Sequence, residues 1–251
     1  MRTRCLTESH PLSPLVRRWM QYAPLSPDDC SALLALPFTR KSGAKESYLV
    51  REGQRVSDCT LLLSGLAYRQ KLLSSGGRQI ISFHIPSEFI DLQNGLLSVA
   101  DHSVQCLTAC EVAVVPGSAL MDVSDKHLRV RMAMWTETLI DASIFREWVV
   151  NVGRRDSRAR IAHLLCELAV RLDRIGAGRD GTYEFPVTQE QLADATGLTP
   201  VHTNRTLQAL RKNGLIQLTA KSLRVLDWQG LRNAGDFDEL YLHQSVAANI
   251  G

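Results

Sequence analysis

The chain has 251 residues, of which 45% are hydrophobic and 22% charged, and its formal net charge at pH 7 is +3. These values exclude general disorder, a collagen-like chain and a coiled-coil rod, and the length allows one large domain or two ordinary ones. The positive excess is local: residues 151–232 hold 13 Lys and Arg against 8 Asp and Glu, a difference of +5, whereas residues 233–251 hold three acidic residues and no Lys or Arg.

The N-terminus carries two early arginines, but the apolar segment of a signal peptide does not follow them. No uninterrupted apolar stretch reaches the ~18 residues that a membrane span needs. We therefore expect a cytoplasmic protein that does not enter the membrane. In a reducing compartment the cysteines, none of them in a CxxC pair, are expected to be free and mostly buried thiols. They are Cys5, Cys30, Cys59, Cys106, Cys110 and Cys166.

Two short helices are predicted near the start of the chain. Residues 14–36 have apolar side chains at helical spacing, and Ser26-Pro27 is typical of a helix start. Residues 38–116 differ, because short runs of alternating apolar and polar residues are separated by glycine turns such as Ser64-Gly65. The clearest runs span 60–63, 66–72, 79–84 and 104–107. Many short strands at regular spacing predict an antiparallel barrel or sandwich.

A long helical segment is predicted at 118–152, where Gly and Pro are rare and apolar residues lie on two faces. One face can pack on the barrel, and the simplest partner for the other is the same helix of a second copy. The alternative is that both faces pack within one subunit. The first face is made of Val130, Ala133, Ile140 and Ile144. The face assigned to dimerisation is made of Met132, Trp135, Leu139, Ala142 and Val149.

The segment 187–227 predicts a helix-turn-helix. Thr188 can begin the first helix, with Gln191 completing a capping box. Gly197 permits the positive φ of a tight turn. Thr199 can cap the second helix, with Pro200 at its first position. Two helices joined by a short glycine-containing turn form this motif.

The second helix has a face suited to DNA bases. Arginine can bond guanine twice, asparagine and glutamine can do the same for adenine, and valine can contact a thymine methyl group. After Asn213-Gly214, two short runs around residues 219–222 predict a hairpin, or wing. The predicted DNA-binding residues are Thr188, Gln189, Thr199, Val201, His202, Asn204, Arg205, Gln208 and Lys221. Arg154, Arg155 and Arg158, at a predicted hinge, are expected to contact phosphates or steady a dimer.

These motifs make the chain resemble the Crp/Fnr family of bacterial transcription regulators over roughly residues 20–230. The matching stretches are TQEQLADATGLT and NRTLQALRKNGLI within 188–216, and LTACEVAVVP at 107–116. The order of barrel, long helix and winged helix is also the family's order. The resemblance implies a homodimer that binds a palindromic double-stranded DNA site, with one recognition helix per half-site, and that contacts RNA polymerase.

The chain departs from the family pattern at two places. The family's recognition helix often has a glutamate where this chain has Val201, so we expect a changed half-site. Members that bind cyclic nucleotides hold the ribose with a glutamate and the phosphate with an arginine. Here Asp91 and Leu92 stand where the resemblance implies glycine and glutamate, and a phosphate would meet Asp91 and Asp101. We therefore expect neither cAMP nor cGMP to be the ligand.

Other chemistry has weaker support in the sequence. Cys5, Cys30 and Cys59 are too far apart to copy the family's iron–sulfur pattern. His84 and His102 are candidate haem ligands, but a lone histidine on a strand is more often structural. Cys106 and Cys110, or Cys166, are candidate redox thiols, although burial is the simpler reading. GxSxG, Walker and HExxH motifs are missing, so we expect no catalytic residue, no metal and no cofactor.

The sequence therefore predicts an α+β protein that is a regulator and not an enzyme. Its expected parts are N-terminal helices with a β-roll or jelly-roll barrel (1–117), a dimerisation helix (118–153), a winged helix-turn-helix (154–232) and a tail (233–251). The effector is left open. One alternative is a ligand- or redox-sensing module whose winged helix contacts a protein instead of DNA. Another is an enzyme built on the barrel.

Overall fold

A computed structural model of the chain describes residues 10–219 and 221–243. The helices are α1 Ser13–Trp19, α2 Pro27–Leu34, α3 Gly117–Lys126, α4 Leu128–Arg154, α5 Ser157–Arg174, α6 Gln189–Thr196, α7 Pro200–Lys212 and α8 Trp228–Gly235. The strands are β1 Thr39–Gly43, β2 Tyr48–Val50, β3 Asp58–Ser64, β4 Ala67–Leu72, β5 Arg78–His84, β6 Ser103–Cys106, β7 Cys110–Pro116, β8 Thr182–Glu184, β9 Ile216–Leu218 and β10 Ser222–Val225. Single 3₁₀ turns lie at Leu92–Gly95 and Glu239–Leu242.

The described residues divide into two compact units. The first contains the residues up to Arg69 together with Phe83–Ala142 and His243, and the second contains Gln70–Ser82 together with Ser143–Leu242. Among the described helices, none has the combination of length and hydropathy that would let it cross a membrane. The predicted α+β fold, with an N-terminal β domain, a long helix and a C-terminal helix-turn-helix, is confirmed.

Strands β1 to β7 form two sheets, with strand orders β1-β7-β3 and β2-β6-β4-β5. The pairs β1–β7, β3–β7 and β2–β6 are antiparallel, as the alternating pattern predicts. Side chains from both sheets share one apolar core, which includes Val50, Leu62, Ile90, Val104 and Val112. Apolar side chains therefore fill the space between the sheets.

Helices α1 and α2 confirm the two predicted N-terminal helices. The Ser26 capping box begins α2, as its sequence indicates. A buried ion cluster holds the end of α1: Arg18 lies 3.2 Å from a carboxylate oxygen of Glu88 and 3.2 Å from one of Glu137. The indole N–H of Trp19 also donates to Glu137. One carboxylate of α4 therefore fixes two residues of α1.

The helical segment predicted at 118–152 is two helices, so the single helix expected there is wrong in that detail. The chain breaks at His127, whose backbone is extended at φ −124° and ψ 91°. The His127 Nδ1 atom lies 2.9 Å from Asp29 Oδ1 of α2. This long-range contact has no signal in the local sequence of the helix, which explains why the break was not predicted.

The second unit contains two elements that the sequence did not predict. Strand β8 pairs with β10 and extends the wing to a three-stranded sheet, in the order β8-β10-β9. Helix α8 crosses residue 232, where we placed the end of the DNA-binding domain, and the compact unit continues to Leu242. We therefore move that boundary to Leu242, and residues 244–251 of the predicted tail lie outside the described residues.

The α1–α4 cluster gives a stability prediction. Replacing Glu137 by alanine leaves the Trp19 N–H without its acceptor and removes one of the two carboxylates beside buried Arg18, so we expect the free energy of unfolding to fall by about 3 kcal/mol. Urea unfolding measures this. Glu111→Ala removes an exposed partner of Arg40 and should cost less than ~1 kcal/mol. Equal effects of the two substitutions would contradict the assigned role of Glu137.

Candidate nucleic-acid interface

Helix α6 begins and ends at the residues that the sequence indicated. The Thr188 side chain accepts from the Gln191 backbone N–H at 3.1 Å, and the Gln191 side chain accepts from the Thr188 N–H at 2.9 Å. At the other end Gly197 takes φ +64°, a left-handed conformation that favours glycine. Both the capping box and the glycine turn are confirmed, so the start and direction of α6 are fixed by local chemistry.

The turn leads directly into α7. The Thr199 hydroxyl accepts from the His202 N–H at 3.3 Å, and Pro200 occupies the first turn, where its missing N–H costs no helical bond. Thr203, Leu207 and Leu210 are buried, as is Ala193 on α6, where a small side chain permits close approach. The prediction of an inward face on α7 is confirmed.

Thr206 is buried as well, and the other side chains of α7 are exposed. Val201 is 74% exposed. Asn204 and Arg205 are also exposed, and the Gln208 amide donates to the Asn204 side chain at 3.4 Å. Positions 201, 205 and 208 follow one another along the helix surface, with 204 beside them. The structure therefore brings the predicted base-contacting residues together on one exposed face, with His202 exposed next to them.

Thr188, Gln189 and Thr199 are exposed at the starts of the two helices, where N–H groups and the helix dipole favour an anion such as phosphate. In the wing, Leu223 points into the core while Lys221 and Arg224 are exposed. The Thr219 hydroxyl accepts from the Ser222 N–H at 3.1 Å and closes the turn. Ala220, at the predicted wing tip, lies outside the described residues.

The three arginines of the predicted hinge have different surroundings. Arg154 and Arg158 are exposed. Arg155 is largely buried, because its guanidinium donates to the Glu147 carboxylate at 2.7 Å and to the Asp236 carbonyl at 3.2 Å. We therefore withdraw Arg155 from the predicted phosphate-contacting residues. The prediction failed because the hinge motif alone shows neither Glu147, two turns earlier on α4, nor Asp236, which is distant in sequence.

A link between α5 and α6 was also missed. Arg160 donates to the Thr196 carbonyl at 3.0 Å, at the last residue of α6. A cation at a helix C-terminus is favourable because it meets the negative end of the dipole and an otherwise unpaired carbonyl. Arg160 therefore helps to position α6. In the sequence, the only signal for this link is an arginine in the helix that precedes α6.

Helix α4 carries the two predicted faces. Val130, Ala133, Ile140 and Ile144 are buried. On the opposite side four large apolar side chains are exposed: Met132 (41%), Trp135 (66%), Leu139 (63%) and Val149 (55%). Ala142 is half-buried. Leu128, which the sequence analysis did not include, extends this exposed stripe at 67% exposure. From 128 to 142 the spacing follows the alternating steps of four and three typical of a helix–helix seam, and Val149 lies seven residues further on, beyond the exposed Arg146.

In the barrel, Asp91 has a structural role. It is buried and accepts from the Thr60 backbone N–H at 2.6 Å and from the Asn94 amide at 3.0 Å. Burial raises the pKa of its carboxyl to about 7. Asp101 instead is exposed and lies 2.6 Å from His102 Nδ1. Neither residue offers a cation to a phosphate.

The candidate haem and cysteine ligands already have protein surroundings. His84 lies 3.5 Å from the Glu88 carboxylate and His102 contacts Asp101, and burial lowers the pKa of both imidazoles. No group of three or more His, Cys, Asp or Glu side chains within residues 10–219 and 221–243 is arranged to hold a metal.

The cysteines in the described ranges are buried free thiols, whereas Cys5 lies outside those ranges. Burial raises the pKa of the Cys59 and Cys166 thiols to about 12. A hydrogen bond from Cys110 lowers the pKa of the Cys106 thiol below its usual value. Low exposure therefore separates all five thiols from solvent.

Comparison with known proteins identifies an N-terminal and a C-terminal domain that correspond to the barrel and the winged helix-turn-helix. The Crp-like helix-turn-helix domain matches residues 159–234, and the cyclic nucleotide-binding domain matches residues 40–127. The chain is 28% identical to the transcriptional activatory protein AadR of Rhodopseudomonas palustris, over 81% of this chain and 83% of that protein. It is 27% identical to the transcriptional activator protein FnrL of Cereibacter sphaeroides, over 69% of this chain and 70% of that protein.

The fold is also similar to a solved structure, that of FixK2 from Bradyrhizobium japonicum. The TM-score is 0.73, the identity is 23%, and the match covers 79% of this chain and 98% of that one. The domain order, the confirmed helix-turn-helix and these relatives agree. The chain belongs to the Crp/Fnr family of transcription regulators, with a cyclic nucleotide-binding domain followed by a Crp-like helix-turn-helix DNA-binding domain.

Proposed function

We propose that the protein is a homodimeric, sequence-specific DNA-binding regulator in which each subunit presents α7 to one half of a palindromic site. The observation that carries this proposal is the exposed face of α7, which places Asn204 and Arg205 outward on a helix whose opposite side is buried. Relatives named as transcriptional activators support the regulatory role. As part of that role, we propose that the protein contacts RNA polymerase and has no enzymatic activity.

The side chains divide between base and phosphate contacts. Arg205 suits the O6 and N7 atoms of guanine, and Asn204 or Gln208 suits adenine. Val201 offers an apolar contact to a thymine methyl group, and His202 adds a polar contact beside it. Phosphate contacts would fix the register of the protein on the duplex without reading its sequence. The residues placed for such contacts are Thr188, Gln189 and Thr199 at the helix starts and Lys221 in the wing. Exposed Arg154 and Arg158 can add to the same electrostatic attraction.

The apolar stripe of α4 supports the dimer. Large apolar side chains exposed on one face of a helix are costly in water, and a second copy of the same face would cover them by a two-fold contact. The stripe contains Met132, Trp135, Leu139, Ala142 and Val149, with Leu128 added from the structure.

Control by cAMP is not part of the proposal. The buried Asp91 uses its carboxylate on Thr60 and Asn94, and apolar side chains fill the space between the barrel sheets. A cyclic phosphate would need a cation, and Asp91 is a carboxyl group, which supplies none. We also propose that the protein has no iron–sulfur cluster, since the described cysteines are buried and no three of them are grouped to hold a metal. The protein is proposed to act in the cytoplasm.

Selection from a pool of random-sequence duplexes tests the function directly. The full-length protein should enrich a palindrome whose half-site centres are about 10 base pairs apart, and affinity should fall steeply as salt rises because bound counterions are released. Enrichment of no sequence would contradict DNA reading and would favour a winged helix that contacts protein.

Arg205 gives the sharpest single-residue prediction. Arg205→Ala should weaken binding to the selected duplex by about 1–3 kcal/mol and relax specificity at one base pair of each half-site. Fluorescence anisotropy with a set of single-base variants measures both effects. Arg40→Ala removes an exposed arginine of the barrel and serves as the control. Unchanged specificity in Arg205→Ala would remove this residue from the reading surface.

The dimer seam gives a separate prediction. Leu139→Glu places a charge in the middle of the stripe, where a dimer would bury it without a partner, so the protein should dissociate to monomers at micromolar concentration. Sedimentation velocity measures the change. Ser118→Glu adds the same charge to an exposed position of α3 and should leave the oligomeric state as it is. A Leu139→Glu protein that sediments like the parent would place the dimer contact elsewhere.

A further inference from the structure

The chain folds back onto α5 after α8. At Gly235 a Cβ atom would lie 2.6 Å from the His163 nitrogen, so the end of α8 touches the backbone of α5. Phe237 and Tyr241 then pack on the His163 ring, with ring centroids 5.1 and 5.7 Å away. Phe237 and Leu242 are buried. Residues 236–242, named here the C-terminal clasp, are therefore an integral part of the second unit.

The clasp is bonded to the end of α4 through a buried carboxylate on α5. The Tyr241 hydroxyl donates to Glu167 Oε2 at 2.9 Å, and the Trp148 indole N–H of α4 donates to the same oxygen at 3.0 Å. Arg171 donates to the other oxygen at 2.9 Å. Glu167 is fully buried, so these charge-assisted bonds form away from water, where they are strong.

A second bridge lies at the joint between α4 and α5. Arg155, the residue between Arg154 at the end of α4 and the Asp156 cap of α5, donates to Glu147 of α4. The same Nη2 atom lies 3.2 Å from the carbonyl and 3.5 Å from the carboxylate of Asp236. The clasp is thus linked to two neighbouring residues of α4, to Trp148 through Glu167 and to Glu147 through Arg155.

We infer that the C-terminal clasp is a positioning element for DNA recognition: Tyr241 and Asp236 hold the angle between α4 and α5. The inference rests on the proposed function, in which two α7 helices must meet successive major grooves about 34 Å apart. A joint that samples many angles would present the helices correctly only part of the time, and apparent affinity falls in proportion to that fraction. The clasp begins after residue 234, where the match to the Crp-like helix-turn-helix domain ends.

Tyr241→Phe tests the inference, because it keeps the ring stacked on His163 and removes only the hydroxyl. That hydroxyl donates to Glu167 and also lies 3.1 Å from His163 Nε2. Its matched control is Tyr183→Phe, which removes a hydroxyl that donates to Asp173 at 2.7 Å in the same unit but away from α4. Both variants are measured on the selected palindrome and on duplexes whose spacer is one base pair longer or shorter.

We expect Tyr241→Phe to bind the native duplex about tenfold more weakly and to lose most of its preference for the native spacer, since it gives up a hydrogen bond to a charged group. Tyr183→Phe should keep the parent's preference. Unchanged spacer preference in Tyr241→Phe overturns the inference. An equal loss of affinity on all three duplexes counts as such a result, because a merely structural role would produce it.

Amide hydrogen exchange of the full chain gives an independent readout. Residues 152–160 should exchange about fivefold faster in Tyr241→Phe than in Tyr183→Phe, and equal exchange overturns the inference whether or not DNA is bound. If Tyr241→Phe does not fold, Trp148→Phe takes its place, because it removes the hydrogen bond from α4 to the same Glu167 carboxylate. If the parent protein selects no DNA sequence, the proposed function is contradicted. Failure of the proposed function is therefore distinguishable from failure of the inference about the clasp.

Discussion

The orientation of α7 is the constraint on which the site depends. Leu207 and Leu210 are buried on its inner side, and each buried leucine contributes about 1.5–3 kcal/mol. Turning the helix by half a revolution would expose both and would bury the guanidinium of Arg205 without a partner. The capped start at Thr199 and the left-handed Gly197 fix where the helix begins. The outward face is therefore a consequence of packing on the other side.

The parts of this site that the sequence predicted are those governed by local chemistry. A capping box joins residues three apart, and a positive φ concerns one residue, so Thr188, Gln191 and Gly197 are readable from a few letters. The two faces of α4 and α7 follow equally from helical periodicity.

Features set by distant partners were not readable in the same way. At the break between α3 and α4, His127 contacts Asp29 of α2, and Arg155 is held away from the phosphate contacts in part by Asp236, 81 residues further on. Strand β8 has three residues, too few for a periodic signal, and it exists because β10 offers an edge. The clasp is a further case, because its aromatic residues pack on His163, which is distant in sequence, and the local sequence does not predict that contact.

The barrel keeps the architecture of a cyclic nucleotide-binding domain while its loop chemistry differs. Asp91 shows the difference most directly, since its carboxylate binds a backbone N–H of β3. Burial raises its pKa to about 7, which is the cost of enclosing a carboxyl among apolar groups. Through these bonds Asp91 holds the loop in place, and it does not indicate which signal the protein detects.

Dimethyl sulfate protection of the selected duplex tests the central claim most directly, because it reports the N7 atom of guanine in the major groove. If two copies insert α7 into successive grooves, the parent should protect guanines in two symmetric segments one helical turn apart, and Arg205→Ala should unprotect one guanine in each. Protection of a single segment, or of minor-groove positions alone, would contradict the account.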